Sequence, residues 1–132
     1  MKISANAPCP CHSGQKYKNC CAPYHRGILP ATALVLMRSR YSAYALGLAD
    51  YILKTTHPDN PDFTADTATW REDILEFCKN TGFEGLKIIA FAEGETEAFV
   101  TFEAALSHGI MKEKSRFLNV NGKWLYESGT FN

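Results

Sequence analysis

Lys114-Ser115-Arg116-Phe117-Leu118-Asn119-Val120-Asn121-Gly122-Lys123-Trp124-Leu125-Tyr126-Glu127-Ser128 is the stretch that decides the fold class. Asn-Gly between two alternating runs is the strongest short hairpin signal, because both residues accept the positive φ of a type I′ turn. It predicts strands over Lys114–Val120 and Lys123–Ser128, joined at Asn121-Gly122. That register sets Leu118 against Leu125 on one face and Asn119 against Trp124 on the other. Working back, Thr96–Ser107 alternates Ala98, Val100, Phe102, Ala104 and Leu106 against Phe99, Thr101 and Glu103, the period of a half-buried strand. Leu86–Glu93 reads as one more strand, followed by a short Gly94-Glu95 turn.

Further upstream the period changes. Between Ala31 and Leu48 the apolar positions Leu34, Met37, Tyr41, Tyr44, Ala45 and Leu48 recur at helical spacing, and Gly47 lies near the end of the run. Leu48–Thr55 predicts a second, short helix that stops at His57-Pro58, since the residue before proline avoids helical backbone. Asp59-Asn60-Pro61-Asp62 is loop, and Thr67–Asn80 a third helix with Trp70, Ile74, Phe77 and Thr81 on one face. Acids gather in its first turns and Thr81-Gly82 supplies its stop. Helices followed by antiparallel strands make an α+β fold.

Composition sets the limits. With 132 residues and 45% hydrophobic content the chain suits one compact domain and a small appendage, burying about two-thirds of its unfolded surface. A disordered or collagen-like chain is excluded. No apolar run approaches the ~20 residues of a membrane span. Met1–Asn6 lacks an apolar run before Pro8 and Cys9, so no signal peptide is expected and the cytosol is the default compartment. Cysteines there stay reduced and hold metal more often than they form disulfides.

A net charge of zero hides an asymmetry. Residues 1–27 carry Lys2, Lys16, Lys18 and Arg26 with no acid, while residues 28–132 carry 10 basic and 14 acidic groups. Four of the five cysteines lie within Cys9–Cys21, and Gly27-Ile28-Leu29-Pro30 reads as a connector. The expected organisation is a basic, cysteine-rich module over 1–27 and an acidic domain over 28–132.

In that module Cys9-Pro10-Cys11 and Cys20-Cys21 form two close pairs across a loop turned by Ser13-Gly14. Zinc takes four tetrahedral N or S ligands, and a segment this short needs metal to order it. Structural zinc on Cys9, Cys11, Cys20 and Cys21 is the leading expectation. Reactive redox thiols and a plain reduced cluster are the alternatives, and iron suits the same four sulfurs. A zinc centre with four thiolates has a formal charge of −2, which Lys16, Lys18 and Arg26 surround. His12 and His25 are expected to be exposed polar residues.

Cys9 through Cys21 resembles the SEC-C motif, the metal-binding tail of the SecA translocation motor, with the pattern C-P-C-G-S-G-x-x-Y-x-x-C-C/H. His12 stands where that motif has Gly. If the position needs positive φ, His carries a strain cost there. The resemblance implies zinc binding and contacts with protein partners, a secretion chaperone and the ribosome among them. The run Leu36-Met37-Arg38-Ser39-Arg40-Tyr41-Ser42-Ala43-Tyr44, with Thr56-His57-Pro58, Trp70 and Trp124-Leu125-Tyr126, resembles the YchJ-type family of bacterial proteins. That likeness implies a nuclear-transport-factor-like (cystatin-like) domain, a cone of helices wrapped by a curved antiparallel sheet. Many such proteins carry a second SEC-C motif at the C-terminus, whereas this sequence contains one.

Such cones often hold a pocket, and some relatives are isomerases or dehydratases. The candidate pocket residues are Arg38, Tyr41, His57 and Trp70, with Arg40, Tyr44, Asp50 and His108 also in view. His57 or Asp50 would serve as base and Tyr41 or Arg38 as polarising group. The favoured readings are structural: Tyr41 and Tyr44 as core residues with satisfied hydroxyls, Arg38 as half of a structural ion pair, His108 as an exposed residue, and Cys78 as a small buried hydrophobe. A basic excess of a few charges without interleaved aromatics does not make a sequence-specific nucleic-acid binder. The expected role is a metal-binding adaptor that meets a protein or ribosomal partner through its basic module. The alternative is small-molecule binding or catalysis within the cone, and an open rather than filled cone discriminates in its favour.

Overall fold

Side-chain alternation and one Asn-Gly turn fold the C-terminal half into a meander. A computed structural model describes residues 3–131; Met1, Lys2 (one of the four cations counted above) and Asn132 lie outside the described residues. Strands β1 (Phe83–Glu93), β2 (Glu97–Leu106), β3 (Gly109–Val120) and β4 (Lys123–Phe131) pair antiparallel in sequence order. Leu118 faces Leu125 and Asn119 faces Trp124, the register expected from the turn, with Asn121 and Gly122 both at positive φ. Ala98, Val100, Phe102, Ala104 and Leu106 of β2 are all buried, as their alternation requires. Register shifts between Phe83 and Gly85, between Ile88 and Ala90, and between Arg116 and Phe117 each insert one extra residue. Such bulges bend strands and increase their twist, which curves this sheet.

The helices fill the concave side. They are α1 (Ala22–His25), α2 (Ala33–Leu46), α3 (Ala49–Lys54) and α4 (Thr67–Lys79). Thr32 caps α2 by accepting from the Val35 amide at 3.1 Å, and Gly47 ends the helix at φ 70°. Asp66 caps α4, whose Trp70 and Ile74 are buried while Phe77 stays partly exposed. The chain leaving α3 joins the sheet beside β4, where the Tyr126 amide donates to the Thr55 carbonyl and the His57 amide to the Tyr126 carbonyl, at 2.9 and 2.8 Å. One edge of the sheet is thereby covered.

Buried residues form two clusters. The first joins Cys9, Cys11, Tyr17, Cys21 and Ala22 to α2 and the inner sheet face; the second holds α3 and α4 against Ala43. The N-terminal segment therefore packs into the main core, and α2 is covered on almost every side. Buried Ser39, Arg40 and Ser42 are the consequence. Between α2, α4 and the sheet the cone stays open, around a cavity of about 650 Å³. No helix among the described residues is long and apolar enough to cross a membrane.

Candidate metal centre and the adjoining cavity

The N-terminal segment is shaped by its backbone before any side chain acts. Pro8 and Lys16 pair antiparallel, the Cys9 amide donates to the Gln15 carbonyl, and the Tyr17 amide donates to the Ala7 carbonyl. Between them the chain reverses through His12 at φ 60° and Gly14 at φ 87°. A tight turn over Tyr17–Asn19 then returns Cys20 and Cys21 to the first pair, and Pro23 opens α1 behind them.

The four sulfurs of Cys9, Cys11, Cys20 and Cys21 lie within 4.8 Å of one another. Cys11 and Cys20 are 3.5 Å apart and Cys20 and Cys21 4.0 Å. A tetrahedral ion with thiolates at about 2.3 Å needs sulfurs separated by about 3.8 Å. The quartet thus has the right chemistry and spacing for a metal ion that prefers soft ligands. All but the half-buried Cys20 are buried. The Ser13 hydroxyl lies 3.2 Å from the Cys20 sulfur. Hydrogen bonding from Cys21 and Cys9 holds Cys11 far below the ordinary thiol range, while its bond to Cys11 pushes Cys9 up to about 12 and Cys21 also rises. One sulfur of the quartet therefore favours the thiolate form, the form in which cysteine ligates.

Two side chains tie this knuckle to the cone. The Arg38 Nη1 donates to the Cys11 carbonyl at 3.4 Å, so this guanidinium faces the knuckle, and among the described residues it forms no ion pair. His25 is half-buried rather than exposed: its Nε2 donates to the Ser39 carbonyl at 2.8 Å and its Nδ1 accepts from the Tyr17 hydroxyl at 2.6 Å. The ring also packs edge-on against Tyr51. Burial lowers the His25 pKa, which favours this neutral form. His12 is exposed, with its Nε2 3.1 Å from the Phe83 carbonyl and its ring 5.8 Å from that of Tyr41.

Of the four expected pocket residues, Tyr41 and Trp70 line the cavity and Arg38 and His57 do not. His57 stays beside β4, its Nδ1 accepting from the Asp59 amide at 3.0 Å. Asp50 lies outside as well, in an exposed ion pair with Arg71 at 2.8 Å. Neither expected base therefore meets Tyr41, whose hydroxyl donates to the Gly85 carbonyl at 2.9 Å and is pushed up to about 12 by burial. Tyr44 and Arg40 do line the cavity. His108 is exposed at the β2–β3 turn. Cys78 packs against the helical cluster, and burial pushes its thiol up.

Glu113 and Tyr126 are among the cavity-wall groups that the sequence reading did not name as pocket candidates. The Asn121-Gly122 register carried back along β3 brings Phe117, Ser115 and Glu113 to the inner face in turn, so the signal was present. It was lost by starting that strand at Lys114, just past Glu113, whereas β3 begins at Gly109.

Comparison with known proteins now places the chain. Residues 32–129 match the family described as YchJ, middle NTF2-like domain, and residues 6–23 match the SEC-C motif. The chain belongs to the YchJ family. A YchJ-type relative from Serratia proteamaculans, named only as a UPF0225 protein, is 40% identical over 131 residues, covering 92% of this chain and 82% of that one. The solution structure of RPA3114, a SEC-C motif containing protein from Rhodopseudomonas palustris, superposes with a TM-score of 0.81 at 31% identity, over 94% of this chain and 98% of that one. A SEC-C motif containing protein from Psychrobacter arcticus gives 0.78 at 29% identity, over 97% and 84%. Both structures share this chain's fold, and both are described as SEC-C motif containing proteins.

Proposed function

We propose that Cys9, Cys11, Cys20 and Cys21 hold one zinc ion and that the knuckle they order is a docking surface for a protein or ribosomal partner in the cytosol. The observation that carries this reading is the sulfur quartet, whose members lie within 4.8 Å of one another. Four thiolates with no carboxylate or imidazole among them suit zinc, and the same donors accept iron as the competing metal. Lys16, Lys18 and Arg26 are exposed around the quartet. They leave the module, taken as residues 1–27, basic even after the −2 of a zinc–thiolate centre. Zinc here orders the chain and offers no open coordination position, since the protein fills all four.

Elemental analysis of the purified protein tests the metal: one zinc per chain is expected, lost on Cys11→Ser, whereas iron or no metal contradicts the reading. Docking is tested by capture of ribosomes and cytosolic proteins. Lys16→Glu with Lys18→Glu is expected to abolish that capture, and unchanged capture would remove the knuckle from the role.

A second reading is favoured by the open cone. A filled cone would have left scaffolding as its only use, but a cavity of about 650 Å³ is the size that takes a small molecule. We infer that the cone binds one.

A further inference from the structure

The cavity combines apolar walls with three buried polar residues, Arg40, Glu113 and Ser115, and an exposed polar mouth. Its walls include Met111, Phe102, Phe117 and Trp70. On β3, Glu113 is only 6% exposed, although a carboxylate is among the groups least often buried. Its Oε2 accepts from the Ser115 hydroxyl at 2.5 Å and from the Tyr126 hydroxyl at 2.8 Å. Neither donor is charged, and no cation lies within ion-pairing distance of it among the described residues. Its second oxygen, Oε1, has no hydrogen-bond partner among the described residues. Among the described residues no fully buried side-chain oxygen or nitrogen lacks a partner, so Oε1 keeps some accessible surface, and Glu113 lines the cavity.

The nearby cation is engaged through Nη1 alone; its Nε and Nη2 have no hydrogen-bond partner among the described residues. Arg40, 7% exposed, directs Nη1 to the Thr55 hydroxyl at 2.7 Å, the Thr56 hydroxyl at 3.1 Å and the Ile52 carbonyl at 3.2 Å. Its guanidinium lies 4.7 Å from the centre of the Tyr126 ring. The exposed Asp62, Asp66 and Asp73 at the mouth add to the buried Glu113, giving four carboxylates against one guanidinium along the lining. An anion entering this space meets net repulsion. A cation finds an under-partnered carboxylate inside and aromatic side chains around it, both of which can attract positive charge.

We propose that the cavity binds an aromatic, mostly apolar small molecule that carries a protonated amine, with the ammonium donating to Glu113 Oε1 and the ring lying among Trp70, Phe102 and Phe117. The proposal rests on the reading of the cone as a binding cavity and assigns its ligand class.

Three probes with one indole ring and different charge test it: tryptamine, tryptophol and indole-3-acetate, titrated into the ¹⁵N-labelled full chain and followed by NMR. Tryptamine is expected to shift the Trp70 indole N–H and the amides of β3 around Glu113, at concentrations at least about tenfold below those needed for tryptophol. Indole-3-acetate is expected to bind weakest. Glu113→Gln should bring tryptamine and tryptophol together. Asp73→Asn, on the exposed mouth and harmless to the interior, should weaken tryptamine severalfold and leave tryptophol unchanged, which keeps the proposal testable if the Glu113 variant does not fold. Equal binding of amine and alcohol, or tighter binding of the carboxylate, would overturn the ligand class and leave the binding cavity standing. Silence from all three at millimolar concentration would overturn both.

Discussion

His12 occupies a left-handed backbone position, φ 60°, where the related motif carries glycine. A non-glycine residue there costs on the order of 1 kcal/mol. The side chain offsets this through its 3.1 Å contact with the Phe83 carbonyl and its edge-on packing with Tyr41. His12→Gly removes strain and contacts together and should leave stability within about 1 kcal/mol of the parent. His12→Ala keeps the strain and loses the contacts, so thermal denaturation should place it below both. At His25 the expectation concerns pH. Burial depresses its pKa in the folded chain below the ordinary 6.5, so the unfolded chain binds the proton first. Stability from this group is complete above about 6.5 and declines as the pH falls through that value toward the folded pKa. Melting temperatures of the parent and of His25→Gln should therefore converge between pH 7.5 and pH 5. Parallel curves would show that the ring titrates normally. Neither residue's role was legible beforehand, because a contact with Phe83 or Ser39 spans a long stretch of chain and leaves no local pattern.

At the scale of elements, local chemistry was informative wherever it acts alone. Alternation gave β2, Asn121-Gly122 gave the last hairpin, and spacing with the Thr81-Gly82 stop gave α4 almost to its ends, although its first turn holds no acid. α2 was legible as a helix but not as a fully surrounded one. Its buried Ser39, Arg40 and Ser42 look like a polar face until the knuckle and the chain after α3 are seen to cover it. The strand starts at Phe83 and Gly109 were missed because bulges and the short Ser107-His108 turn break the two-residue period. One glycine in β4 matters to the cavity: a Cβ on Gly129 would collide with the Glu113 carboxylate and the Tyr126 hydroxyl. Gly129→Ala should destabilise the fold by about 1–3 kcal/mol and displace Glu113. Denaturant unfolding checks the first effect and the β3 amide shifts check the second; an unperturbed variant would mean that this wall of the cavity is soft.

The whole molecule couples its two parts through one core. Because Cys9, Cys11, Tyr17 and Cys21 pack in the same cluster as Leu36, Val100 and Phe117, ordering the knuckle supports the sheet as well. Composition alone had suggested a module joined by a connector, and the exposed Ile28 and Leu29 fit a connector, yet charge and cysteine counts carry no information on what a segment packs against. Chelating the metal should lower the melting temperature of a single cooperative transition, since a ligand bound only by the native state stabilises all that unfolds with it. Two separate transitions, with the sheet's unmoved, would mean that the knuckle is an independent appendage.

The central claim is that four sulfurs grip one zinc ion, and zinc K-edge X-ray absorption on the purified full chain tests it most directly. The account predicts one zinc surrounded by four sulfur neighbours at about 2.3 Å. A first shell containing oxygen or nitrogen, or a well-folded protein that carries no zinc, would contradict it.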